Sequence, residues 1–249
     1  MTITMDPNVL GVVLLPWTTL MTLLGSLGAL AYMLWVATAL GLSRLDIYRL
    51  LLRTVLWALF GARLFHVADY ADFYREVPFQ IFYIWNGGLS LWGAMVIGLS
   101  GAVLHAKRWY VPVGTLVDKA VVAGLVAIII GRFGDFLAGK RVGTSTSLPW
   151  GATFTHPGSE SFRLGVMHPV ALYEVLLGLV LLAAIVRWGN RVTPDGTICA
   201  LALAGYAVGK FIIASATVTP LHLGLDHAQW VSLAVLVATA YRWRVTLRR

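Results

Sequence analysis

The sequence predicts an all-α integral membrane protein with seven transmembrane helices, an extracytoplasmic N-terminus and a cytoplasmic C-terminus. Hydrophobic residues make up 59% of the chain and charged residues 12%, with a mean hydropathy of +0.79. Soluble domains contain about 25% charged residues, so this composition indicates lipid rather than water as the surrounding solvent. Long apolar runs and an uneven distribution of basic residues between them provide the helix count and the orientation.

Seven apolar runs are long enough to cross about 30 Å of hydrocarbon as helices. They lie near residues 17–41, 46–66, 84–104, 115–137, 168–188, 196–216 and 227–244. The second and sixth runs are the least clean, because Arg53, Arg63 and Lys210 interrupt them. The runs follow one another without an intervening soluble segment, so we expect one polytopic membrane domain over residues 1–249.

Basic residues concentrate in alternate gaps between these runs. One set of gaps and the tail hold Arg44, Arg49, Arg53, Lys107, Arg108, Lys119, Arg187, Arg191, Arg242, Arg244, Arg248 and Arg249. The opposite set holds only Arg75, Lys140, Arg141 and Arg163. Cytoplasmic loops carry the excess of lysine and arginine, so the first set is cytoplasmic, and an odd number of spans agrees with this orientation.

The net charge of +8 is therefore interpreted as an orientation signal and not as a nucleic-acid surface. Asp6 is the only charge among the first 43 residues, so the basic region of a secretory signal is lacking and we expect the N-terminus to be retained. Cys199 is the single cysteine, which excludes a disulfide framework and a cysteine metal cluster.

Two gaps on the extracytoplasmic side are long. Residues 67–83 mix charges with aromatic side chains and are expected to lie along the outer surface as an amphipathic element. Residues 138–167 are rich in glycine, serine and threonine. This second gap is either a mobile cover over a binding pocket or a solvated loop.

Three basic residues fall inside the predicted spans, namely Arg63, Arg132 and Lys210. Each costs on the order of 2.5–3.5 kcal/mol to insert and needs a partner or a purpose. The orientation places all three toward the outer side, where they would repel one another unless an anion lay between them. The sequence therefore predicts an outward-opening pocket for a phosphate or similar anion. The alternatives are snorkelling to outer headgroups or pairing with acidic side chains, namely Asp69, Asp135 or Glu174.

The stretch from Gly131 to Gly151 is the centre of this prediction. Arg132 and Asp135 lie three residues apart at the end of an uncharged apolar run, where the helix should still continue. Glycines and a Ser/Thr cluster follow, until Pro149 stops regular structure. A guanidinium at the mouth of a hydrophobic segment, followed by flexible backbone, suits an anionic lipid headgroup.

Several short strings in this order resemble the prolipoprotein diacylglyceryl transferases of bacterial inner membranes. They are GARL at 61–64, IWNGGLS at 84–90, LVD at 116–118, GRFGDF at 131–136, LPWG at 148–151, HPVALYE at 168–174, PDGT at 194–197, GYAVGKF at 205–211 and the segment from Gln229 to Ser232. No single string is specific, whereas the ordered set covers about residues 61–232. The predicted seven-span topology also agrees with this family.

The resemblance implies an enzyme of the bacterial inner membrane with its active site toward the outer leaflet. Its members transfer the diacylglyceryl group of phosphatidylglycerol to the thiol of a lipobox cysteine in a preprolipoprotein and release glycerol phosphate. A carbon–oxygen bond to the phosphate breaks, so cations would stabilise the leaving group, and the thiol must lose its proton. Neither a metal nor another cofactor is implied, nucleic acid is not a partner, and we expect a monomer.

The resemblance also assigns site residues. Arg132 matches an essential arginine of the GRIGNF-type signature and would clamp the lipid phosphate, and Lys210 takes the place of a second essential arginine. Asp135 and His168 are candidate catalytic groups, and Arg63 is a candidate substrate-binding group from its position in the span. The remaining predicted substrate-binding residues are those that match the family strings, namely Asn86, Gly87, Gly88, Gly134, Gly139, Gly143, Tyr173 and Glu174.

Several positions depart from the family pattern. Trp92 replaces a histidine, Asp135 an asparagine, Lys140 a glutamate, Lys210 an arginine, Ala214 an acidic residue and Thr217 an arginine. The change at Lys210 keeps the charge but loses the planar fork of a guanidinium. Three hypotheses follow: a divergent transferase, a paralogue with another acceptor or lipid donor, or a lipid-binding protein without catalysis. In the first, the base is Asp135, His168 or the lipid phosphate.

Overall fold

The computed structural model describes residues 1–9, 15–36, 43–83, 91–108, 113–189, 195–217 and 224–247. These ranges are mostly helical. The helices are α1 Trp17–Trp35, α2 Arg44–Asp69, α3 Ala71–Glu76, a 3-10 helix Pro78–Phe82, α4 Leu91–Arg108, α5 Val113–Leu137, α6 Val170–Trp188, α7 Thr197–Ala214 and α8 His227–Leu247. Two short strands, β1 Thr2–Ile3 and β2 Thr153–Phe154, complete the described elements.

Five of these helices are long and apolar enough, by length and composition, to cross a membrane: α1, α2, α5, α6 and α7. The predicted class of a helical membrane protein is confirmed at this level. The helices α4 and α8 overlap the third and seventh predicted spans, but they are not apolar enough to qualify as membrane spans by the same measure. Both end in basic side chains, among them Lys107, Arg108 and Arg244. The sequence had instead singled out the second and sixth spans as the weakest, and both of these qualify.

Internal contacts divide the protein into two compact units, 34–116 and a second unit made of 1–33 with 117–249. In the first unit, α2 packs closely against α4. A Cβ on Gly61 would lie 2.6 Å from the Ile97 Cβ, and one on Gly93 would lie 2.7 Å from the Phe65 Cβ. Glycine at both positions therefore allows the two helices to approach. The prediction of a single domain stays a prediction.

The segment after α2 folds into α3 and the 3-10 helix, so the predicted element at 67–83 is helical. Arg63 is buried, and its Nε donates to the Ile81 carbonyl at 2.8 Å. Its Nη2 donates to the Gln80 carbonyl, and its guanidinium lies 5.2 Å from the centre of the Tyr74 ring. Arg63 thereby holds this segment against the end of α2.

In the second unit, α1 packs against α5. A Cβ on Gly25 would lie 2.9 Å from the Ala127 carbonyl oxygen, and one on Gly134 would lie 2.8 Å from the Trp17 carbonyl oxygen. Helices α6, α7 and α8 pack in sequence order. At the beginning of α7, the Asp118 carboxylate accepts hydrogen bonds from the backbone N–H of Gly196 at 2.6 Å and of Cys199 at 2.7 Å. Asp118 thus caps α7 from the neighbouring helix α5.

Residues 138–169, which we name the cap, connect α5 to α6. Their strand β2 pairs in parallel with β1, with Thr2 opposite Thr153 and Ile3 opposite Phe154. The side chain of Ile3 packs on a small core that contains Phe136 and Phe154. The sequence does not predict these strands, because two residues are too few to show an alternating pattern. Whether the cap moves as a cover stays a prediction.

Backbone hydrogen bonds of the cap draw three helix ends together. Gly143 N donates to the His168 carbonyl, and Thr144 N donates to the Ala216 carbonyl, each at 2.8 Å. The C-terminal end of α5, the beginning of α6 and the C-terminal end of α7 therefore meet beside the cap. The predicted active-site residues of this unit lie at this junction.

Candidate active site

Glu174, in the second turn of α6, is the centre of a cluster of charges at this junction. Its side chain is 0% exposed. Its Oε2 accepts a hydrogen bond of 2.6 Å from Arg132 Nε, and its Oε1 makes an ion pair with Lys210 Nζ. The Tyr206 hydroxyl, one turn before Lys210 on α7, donates to Oε2 over 3.5 Å. One carboxylate therefore joins α5, α6 and α7.

Asp135 extends this cluster toward the cap. Its Oδ2 accepts hydrogen bonds from Arg132 Nη1 at 2.8 Å and from Arg141 Nε at 3.0 Å. The spacing of three residues on α5 places Arg132 and Asp135 on the same helical face, as the sequence predicted. Arg141 comes from the cap and is half-exposed.

The cluster is thus a chain of alternating charge that runs from Arg141 through Asp135, Arg132 and Glu174 to Lys210. The cationic side chains exceed the carboxylates by one, so the cluster retains a formal positive charge. The Nη2 atom of Arg132 and both Nη atoms of Arg141 make no hydrogen bond to any residue that the structure describes. The cluster can therefore accept an additional anion.

A second polar group lies at the beginning of α6. The Tyr173 hydroxyl accepts a hydrogen bond of 3.0 Å from Trp150 Nε1 in the cap. The same hydroxyl lies 3.0 Å from His168 Nδ1. The Tyr173 side chain thereby fixes His168. Since Tyr173 directly precedes Glu174 in the sequence, this polar group is adjacent to the charged cluster along the chain. This arrangement fixes the position of the imidazole beside the beginning of α6.

The structure brings Arg132 and Lys210 together, as the anion-pocket hypothesis requires. It also shows the pairing with Asp135 and Glu174 that the sequence analysis gave as an alternative. Anion binding and this pairing are compatible, because the three cations of the cluster outnumber its two carboxylates. Arg63 belongs to the other unit, where its described contacts are the backbone carbonyls beside Tyr74. Its role in anion binding stays a prediction.

The predicted glycines of this unit have close packing contacts. Gly134 packs against Met21 of α1. Gly139 has a φ of +67°, a conformation that favours glycine at a helix end. A Cβ on Gly143 would meet the Ala216 carbonyl. Their roles in substrate binding stay predictions. Asn86, Gly87 and Gly88 lie outside the described residues, as does the side chain of Trp92.

Besides Asp135 and Lys210, two further departures from the family pattern have described partners. Lys140 pairs with Glu160 within the cap at 2.9 Å and does not join the charge chain. The Thr217 hydroxyl lies 2.7 Å from the Ala214 carbonyl and 3.2 Å from Asp226 Oδ2. Asp226 in turn accepts from Gln229 N at 2.7 Å at the beginning of α8. Thr217 therefore contributes to the connection between α7 and α8.

Three further residues of the site, which the sequence does not predict, are Arg141, Tyr206 and Trp150. Arg141 was counted only as a loop charge, although it follows Asp135 by six residues. Tyr206 precedes Lys210 by four residues, a spacing that places both side chains on one helical face. That spacing was a usable signal. The hydrogen bond between Trp150 and Tyr173 depends on how the cap folds and has no local signal.

Comparison with known proteins shows which family this chain matches. Residues 8–245 match the prolipoprotein diacylglyceryl transferase family. A protein of Methylobacillus flagellatus named phosphatidylglycerol–prolipoprotein diacylglyceryl transferase is 30% identical over 248 residues, which cover 94% of this chain and 92% of that protein. Transferase 2 of Streptomyces coelicolor, with the same name, is 33% identical over 207 residues, covering 75% of this chain and 65% of that protein.

The protein of the same name from Tropheryma whipplei strain TW08/27 is 34% identical over 160 residues, which cover 61% of this chain and 59% of the relative. The chain thus spans less than two thirds of the Streptomyces and Tropheryma proteins, whereas it spans nearly all of the Methylobacillus protein. The family match extends over almost the whole sequence, including every helix of the charged cluster. This chain belongs to the prolipoprotein diacylglyceryl transferase family.

Proposed function

We propose that this chain transfers the diacylglyceryl group of phosphatidylglycerol to the cysteine thiol of a prolipoprotein and releases glycerol phosphate. Family membership supports the reaction, and the names of the relatives specify both substrates. The structural observation that carries the proposal is the convergence of Arg132 and Lys210 on the buried Glu174. Two cations from different helices are thereby held beside each other at the end of membrane-length helices.

The phosphate of the lipid would bind at the donors that the carboxylates leave unused. Arg132 has one Nη group without a described partner, and the Lys210 ammonium has three N–H groups, of which Glu174 accepts one. Glu174 and Asp135 fix both cations before substrate arrives, so little reorganisation is needed when charge develops. The net positive charge of the cluster favours a monoanionic headgroup.

In the reaction, the cysteine sulfur attacks the carbon of the diacylglyceryl group that is bonded to the phosphate oxygen. A carbon–sulfur bond forms, the carbon–oxygen bond breaks, and the electron pair of that bond goes to the phosphate oxygen. Arg132 and Lys210 stabilise the charge on this oxygen. The thiol proton goes to a base, for which His168, Asp135 and the phosphate itself are the candidates. No cofactor is needed for this balance.

The topology belongs to the same proposal. Seven spans, an extracytoplasmic N-terminus and a cytoplasmic C-terminus would place the charged cluster at the outer leaflet of the bacterial inner membrane. The long helices α4 and α8 supply the third and seventh spans in this scheme. A lipobox peptide would reach the cluster from the extracytoplasmic side, and the protein would act as a monomer.

The direct test is a bacterial strain depleted of its own transferase. Expression of this chain should restore lipoprotein modification, and the Arg132→Ala variant at the same expression level should not. The purified protein, supplied with phosphatidylglycerol and a lipobox peptide, should release glycerol phosphate. A well-folded protein that does neither would refute the proposed reaction.

A second function is favoured by one observation, the pairing of Arg132 with Asp135 where the family pattern has a neutral asparagine. The added carboxylate partly neutralises the cluster, which suits a lipid-binding protein without turnover or a paralogue with another acceptor. Retention of phosphatidylglycerol without release of glycerol phosphate would select lipid binding. Release of glycerol phosphate with an acceptor other than a lipobox peptide would select the paralogue.

A further inference from the structure

The charge chain ends at Arg141, a residue that neither the family strings nor the sequence analysis placed in the site. Its Nε donates to the same Asp135 oxygen that accepts from Arg132 Nη1. Because both nitrogen atoms donate to Asp135 Oδ2, the two guanidinium groups are neighbours. Neighbouring cations repel, and one carboxylate between them compensates only half of their charge.

The backbone at Arg141 supports a specific placement. Arg141 has a φ of +54°, in the left-handed region that an arginine adopts only at a cost in free energy. Its carbonyl accepts a hydrogen bond of 3.2 Å from Ala171 N at the beginning of α6, which fixes this conformation. Glycine would adopt the same conformation without that cost. The backbone of Arg141 is thus held by a contact with α6, the helix that carries Glu174.

Arg141 also has the donors that a phosphate needs. Asp135 engages only its Nε, and neither Nη atom has a partner among the residues that the structure describes. Its side chain is 52% exposed, compared with 25% for Arg132 and 21% for Lys210. Arg141 thus lies at the open side of the cluster, while the other two cations lie deeper.

We propose that Arg141 is a third phosphate-binding cation, which holds the phosphate group at the entrance of the cluster, either in the intact lipid or in the released glycerol phosphate. The inference deepens the proposed function and rests on it for the identity of the ligand. The Nη groups of Arg141 donate to phosphate oxygens while Asp135 keeps its Nε and hence its orientation. Because Arg141 lies at the entrance, it contributes to affinity more than to the chemical step.

The test uses Arg141→Gly, because glycine adopts the observed backbone conformation and removes only the side chain. The matched control is Arg163→Gly. Arg163 is the other non-glycine residue with positive φ in the described chain, at +67°; its guanidinium lies over the Phe162 ring at 4.9 Å, and it makes no described ion pair. The two variants change net charge and backbone freedom equally. Arg141→Asn, which also tolerates this conformation, replaces Arg141→Gly if the glycine variant does not fold.

Two arms separate the two sources of phosphate. The first measures the KM for phosphatidylglycerol with a lipobox peptide, together with retention of phosphatidylglycerol by native mass spectrometry. The second measures inhibition by added glycerol phosphate. Losing charge-assisted hydrogen bonds at a half-exposed site should weaken binding roughly tenfold in at least one arm, with kcat nearly unchanged. The Arg163→Gly protein should match the wild type.

Weaker binding that is confined to the Arg141 variant supports the proposal. Equal values for the Arg141 variant and the wild type in both arms overturn it, as does an equal loss in the Arg163 variant. The release of glycerol phosphate by the wild-type protein is measured as a separate result. If the wild type releases no glycerol phosphate but retains phosphatidylglycerol through Arg141, the proposed reaction fails and the inference about Arg141 stands.

Discussion

Lys210 on α7 makes an ion pair with Glu174 on α6, and this glutamate side chain is completely shielded from solvent. A carboxylate in such a place stays charged only because cations and hydrogen-bond donors surround it. Arg132 from α5 supplies the second cation. Glu174 therefore joins three helices and holds both proposed phosphate-binding cations, so it links the stability of the protein to its site.

Replacing Glu174 by alanine should lower the free energy of unfolding by about 3–5 kcal/mol, because two cations lose their buried partner. Thermal unfolding in detergent measures this loss. Glu160→Ala is the matched control, since Glu160 pairs with Lys140 at the surface of the cap. The exposed pair should contribute no more than about 1 kcal/mol. Equal losses in the two variants would contradict the central role of Glu174.

Replacing Arg132 by alanine should abolish transfer, with a loss of at least about 100-fold in kcat/KM, because developing phosphate charge loses a preorganised donor. Arg75→Ala is a close control. Arg75 pairs with Asp72 at the same spacing and the same 2.8 Å as the pair of Arg132 with Asp135, but it lies at the surface. Its loss should leave kcat/KM unchanged. An active Arg132→Ala protein would remove this residue from the reaction.

Variants of Lys210 test whether the reaction needs only a positive charge at this position or the planar guanidinium of an arginine. Lys210→Met should reduce kcat/KM by roughly 10- to 100-fold, the effect of losing a charge-assisted hydrogen bond. Lys210→Arg should stay within a few-fold of the wild type or exceed it, since a guanidinium can pair with Glu174 and still donate to phosphate. Steady-state kinetics with phosphatidylglycerol and a lipobox peptide measure both. Equal activity in the methionine and arginine variants would refute a role for the charge.

Asp135→Asn tests one candidate base. Two guanidinium groups already bind the Asp135 oxygen, so it is poorly placed to accept a thiol proton, and its negative charge opposes an incoming phosphate. We expect the variant to retain turnover and to have a lower KM for phosphatidylglycerol, because the cluster gains one net positive charge. Asp72→Asn, the partner change at the surface pair, should alter neither value. A loss of turnover of about 100-fold or more, in the range expected for a general base, would identify Asp135 as the base instead.

Three glycine variants form a graded series within α5 and the cap. Gly124→Ala lies within the helix, where the new Cβ meets nothing within 4 Å, and should be neutral or slightly stabilising. Gly165→Ala adds only the cost of its positive φ of +83°. Gly139→Ala adds a positive φ and a collision with Phe154, 2.9 Å from the new Cβ, and should lose at least about 1 kcal/mol more than Gly124→Ala. Thermal unfolding should give this order, and any other order contradicts the packing described for the cap.

Much of the helical framework could be predicted from the sequence. Each of the seven predicted spans overlaps a long helix, and five of these helices are long and apolar enough to cross a membrane, whereas the count of seven spans stays a prediction. Pairing of Arg132 with Asp135 was within reach because three residues on a helix separate them. The cap was not predictable in the same way, since its strands have two residues each and pair across most of the chain, from Thr2 to Thr153.

The helical membrane class and most of the long helices follow from the amino-acid sequence, because hydropathy and the positions of charges are local properties of the chain. Which charges lie in contact depends instead on how the helices and the cap pack. Glu174 receives Arg132 from 42 residues before it and Lys210 from 36 residues after it, and Arg141 reaches Asp135 through a backbone conformation that arginine rarely adopts. Such contacts depend on helix packing and on the folded cap, and no local pattern encodes them.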